Sequence, residues 1–376
     1  MRILPMPDCL IGSGVIAQIP DTLRVLGARK VMVVTDPGVI KAGIYESVKA
    51  VLDAAGVHIV LHDKVQPDPS TTYIDVLGKE SRQTGVAAVV GLGGGSSLDS
   101  AKMAAALMAN TRPVSEYLSG TPLSEAVLPI VAVPTTAGTG SEATPIAILS
   151  DETAQVKKGL VSPRIMPRYA FLDPELTLRL PPAVTAVTGM DALCHAIESY
   201  LSINANAFTE ALSLRAVELL SSNIEEAFRN GKSLQARENM ILGSFLAGVA
   251  FANAGVTAVH AFAYPLGGMF HVAHGLANAL MLPGVLKFDR PASEERFRQI
   301  GRAMATNGNA DTVISRVEEL SRVLQLPRNL AMVGIPADSV EVMAQAVVQI
   351  DRLLKNNPRK VSLEDARAIY WEAHDR

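Results

Sequence analysis

The sequence predicts an α/β domain built on a parallel sheet, followed by an all-helical domain. β-branched, apolar runs alternate with helix-like segments through the first half of the chain, and the pair Pro181-Pro182 ends that alternation. Beyond Val184 the strand-like runs give way to long Ala-, Leu- and Glu-rich segments. Alternating strands and helices form parallel sheets with right-handed crossovers. We therefore place the two domains at residues 1–180 and 181–376.

Strands and helices are predicted in strict alternation in the first domain. The first strand, Lys30 to Thr35, is almost wholly apolar, as expected of a parallel strand buried on both faces. The further predicted strands are residues 57–62, 86–90 and 129–134. The predicted helices are residues 42–55, 71–84 and 96–110, the last with Ser96 or Ser97 near its N-cap.

The second domain is predicted to contain helices alone. The predicted helical segments are residues 192–201, 210–230, 233–251 and 311–324. The most apolar stretch of the chain, residues 242–263, is interrupted by Asn253, Thr257 and His260. We therefore expect a buried helix there rather than a membrane-spanning one.

Composition excludes several classes of protein. The chain of 376 residues has 34 basic and 37 acidic residues, a net charge of −3, so we expect no nucleic acid partner. Its two cysteines, Cys9 and Cys194, cannot form a disulfide scaffold and are typical of a reducing cytoplasm. Prolines and Asp8 interrupt the N-terminus, which predicts no secretory signal. We expect a cytoplasmic protein without a membrane partner.

A glycine-rich loop is the first candidate ligand site. The segment Gly91-Leu92-Gly93-Gly94-Gly95-Ser96 directly follows a predicted strand and opens a predicted helix. Glycines let the backbone approach a ligand closely, and helix N-terminal amides favour phosphate oxygens. The loop is not a Walker loop, because Lys102 is wrongly placed for one. It is not a complete Gly-x-Gly-x-x-Gly motif either, because Ser96 occupies the last glycine position. A tight structural turn is the alternative, but the position between strand and helix favours phosphate binding.

Two further segments follow predicted strands. Asp36 stands where a carboxylate could accept hydrogen bonds from ribose hydroxyls and repel a 2′-phosphate, which would favour NAD over NADP. An ordinary turn aspartate before Pro37-Gly38 is the alternative. Unlike the acid of the common dinucleotide fingerprint, Asp36 precedes the glycine loop. Residues 134–142 offer small and hydroxyl side chains that could line a pocket or form an unliganded loop.

Four side chains of the helical half form a candidate metal site. Asp191 and His195 are four residues apart, which places them on one helical face. His260 and His274 are separated by residues 265–268, a predicted helix break, so they should lie on different elements that can converge. One carboxylate and three imidazoles suit Fe(II), Zn(II), Mn(II), Co(II) or Ni(II). For any single histidine, a hydrogen-bonded buried side chain is the simpler interpretation.

Taken together, these segments resemble the iron-containing (group III) alcohol dehydrogenase family over essentially the whole chain. Four motifs carry the resemblance: Gly93-Gly94-Gly95-Ser96-x-x-Asp99-x-x-Lys102, residues 134–142, Asp191-Ala-Leu-x-His195-Ala-Ile-Glu198, and His260…Pro265-Leu266-Gly267…His274-Gly275-Leu276-Ala277-Asn278-Ala279. The resemblance implies a dehydroquinate synthase-like architecture, with an α/β nucleotide-binding domain, an all-α domain and a site in the cleft between them. It also implies a homodimer.

The resemblance implies a role for each motif residue. Those expected to bind a divalent metal, Fe²⁺ or alternatively Zn²⁺ or another ion, are Asp191, His195, His260 and His274. Those expected to bind NAD are Asp36 at the ribose, Gly93, Gly94, Gly95 and Ser96 at the pyrophosphate, Thr135, Thr136 and Thr139 at the nicotinamide, and Lys157, with Lys158 as the alternative lysine. Asp99 is expected to face the nicotinamide and the active-site cleft.

The sequence departs from the family at one position. Many members carry a second histidine four residues after the third ligand, often proposed as a proton relay, whereas this chain has Tyr264. Another imidazole, His271, lies three residues before the last ligand. Because a phenol ordinarily titrates near pH 10 and an imidazole near 6.5, we expect His271 rather than Tyr264 to provide the titrating group of a relay. A solvent-facing loop position for His271 is the alternative.

These features predict an NAD(H)-dependent, metal-assisted dehydrogenase that interconverts an alcohol and an aldehyde or ketone by hydride transfer. Tyr264 also fits an alternative, a hydroxyacid–oxoacid transhydrogenase that keeps its nicotinamide nucleotide bound. The intact ligand residues oppose a homologue that has lost catalysis, and the Asp191–His195 pair opposes a dehydroquinate synthase. Side chains that could line the substrate pocket, or simply belong to the core, are Phe251, Phe262, Met269 and Phe270.

Overall fold

The chain folds into two compact units, as seen in a computed structural model that describes residues 3–153, 156–306 and 308–376. The first unit comprises Met1–Thr136 and Gly140–Arg179, and the second comprises Ala137–Thr139 and Leu180–Arg376. The main division therefore falls beside the Pro181-Pro182 pair. The short segment Ala137–Thr139, which the sequence places in the first domain, belongs to the second unit.

The first unit is built on a six-stranded parallel sheet. The described strands of this unit, including two outside the parallel sheet, are β1 Asp8–Ile11, β2 Lys30–Val34, β3 His58–His62, β4 Ala88–Gly93, β5 Ile130–Pro134, β6 Ile146–Asp151, β7 Val156–Val161 and β8 Tyr169–Leu172. The sheet order is β1-β8-β5-β4-β2-β3, while β6 and β7 form a separate antiparallel hairpin. The carboxyl ends of β2 and β4 are neighbours, at the point where the connections leave in opposite directions. Ligands of open α/β sheets bind at such a switch point.

All four predicted strands are present, and their burial explains why they were recognisable. In β2, Val31 and Val33 pack into the hydrophobic cluster on one sheet face, and Met32 and Val34 pack into the cluster on the other. Four further strands, β1, β6, β7 and β8, were not predicted. β1 and β8 have only four residues each, and the β7 sequence Val-Lys-Lys-Gly-Leu-Val lacks an apolar run.

Helices flank the sheet of the first unit. They are α1 Ile19–Val25, α2 Pro37–Lys41, α3 Ile44–Ala54, α4 Thr71–Arg82, α5 Gly95–Leu107 and α6 Val114–Leu118. The three predicted helices correspond to α3, α4 and α5. The cap residue of α5 is Gly94, and Ser96 and Ser97 lie in the first turn, near the N-cap as predicted. The hydroxyl of Ser97 donates to Asp36, and that of Ser96 accepts from the Asp68 amide.

The second unit is all-helical, apart from turns, in its described residues. Its helices are α7 Pro182–Leu201, α8 Ala207–Arg229, α9 Leu234–Ala254, α10 Ala258–Phe270, α11 His274–Asp289, α12 Glu294–Ala303, α13 Ala310–Val323, α14 Val340–Val347, α15 Asp351–Leu354 and α16 Leu363–Asp375. The predicted fold class is confirmed. Short 3₁₀ turns across the chain are Val15–Gln18, Ser141–Ala143, Pro163–Ile165, Pro174–Thr177, Arg290–Ala292, Ala331–Val333 and Ala337–Ser339.

Two predicted boundaries in the second unit are wrong. Residues 242–263 are not one helix, because Gly255 adopts a φ of 77° and separates α9 from α10, whose axes differ by 102°. The predicted break at residues 265–268 is also wrong, because α10 continues through Pro265 to Phe270, and His271 follows as the C-cap residue with a φ of 56°. Packing of the fully buried Leu266 keeps the helix intact where the local sequence predicts its end.

No single described helix is both long enough and apolar enough to cross a bilayer. The helices α9 and α10, taken together as a bent pair, reach the required length and composition.

Candidate active site

Helix α7 contributes three acidic or imidazole side chains along one face. Asp191, His195 and Glu198 follow at spacings of four and three residues, so they form a continuous row one helical turn apart. All three side chains are buried. Helices α10 and α11 each add one more imidazole, His260 near the start of α10 and His274 as the first residue of α11.

Four of these side chains converge as the sequence predicted. One donor atom from each of Asp191, His195, His260 and His274 lies within 4.8 Å of every other. The Nε2 atoms of His260 and His195 are 3.0 Å apart, and His274 Nε2 lies 3.9 Å from Asp191 Oδ1. The His274 side chain is 30% exposed, whereas the other three are buried. The cluster is therefore accessible from the side of His274.

A glycine allows the two helices that contribute Asp191 and His274 to approach each other. A Cβ atom on Gly275 would lie 2.6 Å from the carbonyl oxygen of Val187 and 3.1 Å from the Cβ of Asp191. Side-chain carbon atoms do not approach a carbonyl oxygen so closely. The residue after His274 must therefore be glycine if α11 is to start beside α7.

The amide of Asn278 lies among the four donor atoms. Its Nδ2 is 2.7 Å from Asp191 Oδ1, 3.1 Å from His260 Nε2 and 3.3 Å from His274 Nε2. An amide N–H₂ has a partial positive charge, and one carboxylate and two ring nitrogens surround it. The donor set, one oxygen and three nitrogens aimed at a common region, fits a divalent cation of the borderline class.

The charges of this cluster support one another. Burial alone would raise the pKa of Asp191, but the neighbouring imidazoles of His195, His274 and His260 hold it below its ordinary value. Burial lowers the pKa of His195 to about 4, so its ring is neutral at pH 7. Burial opposes the charging of His260 as well, yet Glu198 raises the pKa of that ring. An ionised carboxylate and a neutral His195 ring are the forms that bind metals.

Two side chains with a place in this cluster were not assigned a role from the sequence, Glu198 and Asn278. Glu198 contacts the Nδ1 atom of His260. Asn278 is four residues after His274, so the helical spacing places both on one face of α11. The four-residue spacing could have indicated that Asn278 lies beside His274, but only if the start of α11 at His274 were known.

In the first unit, the glycine loop lies at the switch point of the sheet. Gly93 ends β4 with a φ of 149°, and a Cβ there would lie 2.6 Å from Ser97 Oγ and 3.0 Å from Asp36 Oδ2. Gly94 caps α5 without a side-chain hydrogen bond to the helix. The first amides of α5 are thus uncovered by a capping side chain, which is the arrangement that binds phosphate oxygens.

Asp36 has a structural role at this point. Its Oδ1 accepts from the amides of Gly38 and Val39 and caps α2, while its Oδ2 accepts from Ser97 Oγ at 2.9 Å. The side chain is partly exposed. Pro37, the next residue, lines a cavity of about 510 Å³. The other lining residues are Ile40, Lys41, Asp63, Lys64 and Gln66.

Lys157 is connected to the glycine loop through Asp68. Its Nζ is 2.7 Å from Asp68 Oδ1, and the Asp68 amide donates to Ser96 Oγ. Lys158 instead pairs with Asp151 across the β6–β7 hairpin. Of the two lysines, Lys157 is therefore the one that the structure brings to the start of α5.

The three candidate threonines divide between the two units. The amide of Thr135 donates to Gly93 O at 3.0 Å, and Thr136 lies 3.4 Å from the position of a Cβ on Gly94. Thr139 belongs to the second unit, within Ala137–Thr139. The structure thus groups Thr135 and Thr136 with the glycine loop and assigns Thr139 to the unit that contains the imidazole cluster.

The chain is similar to known proteins over nearly its whole length. Residues 7–174 match the family described as iron-containing alcohol dehydrogenase, and residues 185–374 match the C-terminal domain of the Fe-containing alcohol dehydrogenase family. Long-chain-alcohol dehydrogenase 1 of Geobacillus thermodenitrificans is 39% identical over 99% of this chain and 96% of its own length. NAD-dependent methanol dehydrogenase of Bacillus methanolicus is 33% identical over 98% of both chains.

The chain belongs to the iron-containing alcohol dehydrogenase family. A solved structure of a 1,3-propanediol oxidoreductase superposes on it with a TM-score of 0.95, at 34% identity and with coverage of 99% of this chain and 100% of the other. The protein is accordingly an oxidoreductase that interconverts alcohols and aldehydes. The resemblance found in the sequence is confirmed.

Within this dehydrogenase, the two candidates for a proton relay occupy different surroundings. His271 is exposed and ends α10 in the left-handed conformation. Tyr264 is half-buried, and its hydroxyl accepts from Arg352 at 3.4 Å. Burial raises the pKa of Tyr264 above its ordinary value, an effect that Arg352 partly offsets. The assignment of a relay to either residue stays a prediction.

Asp99 has a dense set of partners within the first unit. Its Oδ1 accepts from Ser141 Oγ at 2.6 Å, and its Oδ2 accepts from the amide of Ile148 at 2.8 Å. Lys102 Nζ lies 3.6 Å away and also donates to Ser141. These contacts connect α5 to the residues around β6. The geometry gives Asp99 an internal structural role, and its expected catalytic position facing the nicotinamide stays a prediction.

The four apolar side chains considered as a pocket lining do not form one group. Phe262 is fully buried and packs against Tyr370 with ring centroids 5.0 Å apart, so it belongs to the core. Phe251 stacks on the His195 ring at 4.5 Å. Met269 is exposed and Phe270 is partly exposed.

Proposed function

We propose that this chain is an NAD(H)-dependent, divalent-metal-assisted alcohol dehydrogenase that transfers hydride between an alcohol and a nicotinamide nucleotide. The observation that carries the metal dependence is the convergence of Asp191, His195, His260 and His274 within 4.8 Å. The relative named NAD-dependent methanol dehydrogenase supports the choice of nucleotide. Fe²⁺ is the proposed ion, with Zn²⁺ or another divalent metal as alternatives.

In this proposal the metal supplies Lewis acid chemistry, which polarises an alcohol or carbonyl oxygen and lowers the pKa of a bound hydroxyl. The chain holds the donors ready for it. Asp191 accepts from Asn278, which orients the carboxylate, and Phe251 packs on the His195 ring and limits its rotation. Since His274 is the most exposed of the four, the substrate would enter from its side.

The nucleotide would bind at the switch point of the first unit. The uncapped amides of Gly95 and Ser96 would bind the pyrophosphate, with Gly93 and Gly94 keeping the approach free of side chains. Asp36 would accept from the adenosine ribose at the mouth of the 510 Å³ cavity. Further proposed contacts are Thr135, Thr136 and Thr139 at the nicotinamide and Lys157 near the phosphates.

We further propose a cytoplasmic homodimer whose substrate is a small-molecule alcohol or aldehyde. Both cysteines are free, as expected in a reducing compartment. Light scattering coupled to gel filtration measures the mass of the assembly directly. A monomeric mass at working concentration would contradict the dimer.

The metal dependence is tested by His260→Ala and His274→Ala, with His374→Ala as the matched control. His374 lies in the same unit, on α16, and contacts Asp375 and Trp371 rather than the cluster. Parent and control should bind one divalent ion per chain and turn over alcohol, whereas the two cluster variants should lose both. NAD affinity should change less than about twofold in all variants, because the glycine loop belongs to the other unit.

Full metal occupancy in either cluster variant, measured by elemental analysis, would remove that residue from the ligand set. The same samples separate the dehydrogenase from a transhydrogenase. Free NADH should accumulate when alcohol and NAD are the only substrates, whereas a transhydrogenase would require an oxoacid.

A further inference from the structure

Glu198 is a fully buried carboxylate that the proposed chemistry does not use directly. It lies on α7, three residues after His195, and its side chain is 1% exposed. Its Oε1 accepts from the amide of Thr257 at 2.9 Å, from the hydroxyl of Thr257 at 2.8 Å and from the amide of His260 at 3.3 Å. Glu198 thus contacts the beginning of α10 from a different helix.

These contacts show that the carboxylate caps α10. Thr257 is the N-cap residue of that helix, but its own side chain makes no capping hydrogen bond. The first-turn amides of a helix need acceptors, and its positive dipole end favours an anion. Two amides and one hydroxyl donate to the same oxygen, which is the arrangement expected for an ionised carboxylate.

The second oxygen of Glu198 contacts the imidazole of His260. Its Oε2 forms a short hydrogen bond with His260 Nδ1. An ionised carboxylate can only accept, so the proton must lie on Nδ1. The Nε2 atom then keeps its lone pair. That atom is the one 3.0 Å from His195 Nε2 and 3.1 Å from the Asn278 amide nitrogen, inside the donor cluster.

We propose that Glu198 is a positioning residue that sets the Nδ1–H tautomer of His260 and thereby presents Nε2 as a metal donor. The inference rests on the proposed metal dependence. A neutral imidazole has two tautomers, and only one of them leaves Nε2 free. Carboxylates that accept from the distal ring nitrogen of a ligand histidine orient the ring and increase its basicity.

Another interpretation of the same residues is less well supported. Donor atoms of Cys194, Glu198 and His260 also lie within 4.8 Å of one another, as a second cation site would require. Both oxygens of Glu198 already have partners, however. Burial, followed by the charge of Glu198, raises the pKa of the Cys194 thiol well above its ordinary value, which disfavours a thiolate there.

Glu198→Gln is the direct test, because glutamine has the same shape but carries an N–H₂ in place of one oxygen. If the amide oxygen keeps accepting from Thr257 and His260, the N–H₂ faces His260 Nδ1 and donates to it. The proton then moves to Nε2, and that nitrogen can no longer bind a cation. Removing such a partner lowers metal affinity about 10- to 100-fold. We expect a loss of this size in Zn²⁺ affinity, measured by chelator competition.

Thr257→Val is the matched control. It removes the hydroxyl that donates to Oε1 and leaves the contact between Oε2 and His260 Nδ1 in place. This variant should unfold at a lower denaturant concentration than the parent but bind Zn²⁺ with unchanged affinity. A purely structural role of Glu198 predicts instead that both variants lose affinity in proportion to their loss of stability.

The tautomer itself is read from the ¹⁵N chemical shifts of His260 in the metal-free protein. The parent and Thr257→Val should show a protonated Nδ1, and Glu198→Gln a protonated Nε2. A parent with protonated Nε2, or a glutamine variant that keeps the parent's Zn²⁺ affinity, would overturn the role of Glu198. A parent that binds no Zn²⁺ or Fe²⁺ would overturn the metal dependence, while its tautomer would still decide the role of Glu198.

Discussion

At the level of single residues, Asp36 has two functions that a substitution must separate. It caps α2 through its Oδ1 and accepts from Ser97 through its Oδ2, and it is also the proposed ribose ligand. Asp36→Gly would remove the charge that repels a 2′-phosphate, but it would also remove the cap of α2. Asparagine keeps an oxygen for the cap and removes the charge, and its N–H₂ group can donate to the Ser97 hydroxyl in place of the acceptor that is lost.

We therefore predict that Asp36→Asn relaxes the preference for NAD over NADP. Without the charge, Lys41 and Lys64 of the neighbouring cavity would attract the 2′-phosphate. The ratio of kcat/KM for NAD to that for NADP should fall by about tenfold, equivalent to about 1.4 kcal/mol. The thermal midpoint should stay close to that of the parent. Equal use of both nucleotides by the parent would show that Asp36 does not select the cofactor.

The proton relay is a second prediction at this scale, and the variants are His271→Asn and Tyr264→Phe. Asparagine tolerates the left-handed conformation of position 271, so the end of α10 is preserved. If His271 provides the titrating group, the limb of the pH–rate profile between about pH 6 and 8 should disappear only in His271→Asn. An unchanged profile in that variant, with a large kcat loss in Tyr264→Phe, would transfer the role to the phenol.

At the level of secondary structure elements, the imidazole cluster depends on how closely α11 approaches α7. Gly275 allows that approach, since a Cβ there would lie 2.6 Å from Val187 O. Gly284 is on the same helix, but a Cβ there would lie no closer than 3.3 Å to the flexible end of Arg376. The two glycines therefore form a matched pair.

We predict that Gly275→Ala weakens metal binding and that Gly284→Ala does not. The added methyl group must displace α11 from α7, which costs about 1–3 kcal/mol of stability and moves His274 away from Asp191. Metal affinity should fall by at least about tenfold when measured by chelator competition. Equal affinities in the two variants would show that the cluster does not require this approach.

At the level of the whole molecule, each unit contains its own candidate chemistry and its own buried charges. Glu142 is a buried charge of the first unit. It is 2% exposed, its Oε1 has no hydrogen-bond partner among the described residues, and burial raises its pKa from 4.5 to about 7. Lys102 offsets only part of that increase.

Glu142 should therefore make the stability of the protein depend on pH. Because its folded pKa is the higher one, its contribution is complete below pH 4.5 and is lost as the pH rises to about 7. We predict that Glu142→Gln matches the parent near pH 4.5 and exceeds it by up to about 3 kcal/mol at pH 8. Urea unfolding of the metal-free proteins at both values measures this, and a gap independent of pH would contradict the burial argument.

Much of this fold could be predicted from the sequence because its signals are local. The apolar run of β2 needs burial on both faces, and the spacing of Asp191 and His195 places them on one face of any helix that contains them. The glycine loop is also recognisable from the sequence, because it lies between a predicted strand and a predicted helix. These features depend on periodicity within about ten residues, which is why the fold class and the pairing of Asp191 with His195 follow from the sequence alone.

Only the tertiary structure decided the remaining features, because they depend on contacts between segments far apart in the chain. Packing of Leu266 carries α10 through Pro265, against the local prediction. Asn278 and Glu198 acquire their places in the cluster only where α7, α10 and α11 meet, and no spacing along the chain encodes that meeting. Asp36 likewise becomes a helix cap and a partner of Ser97 because β2 and β4 are neighbours in the sheet.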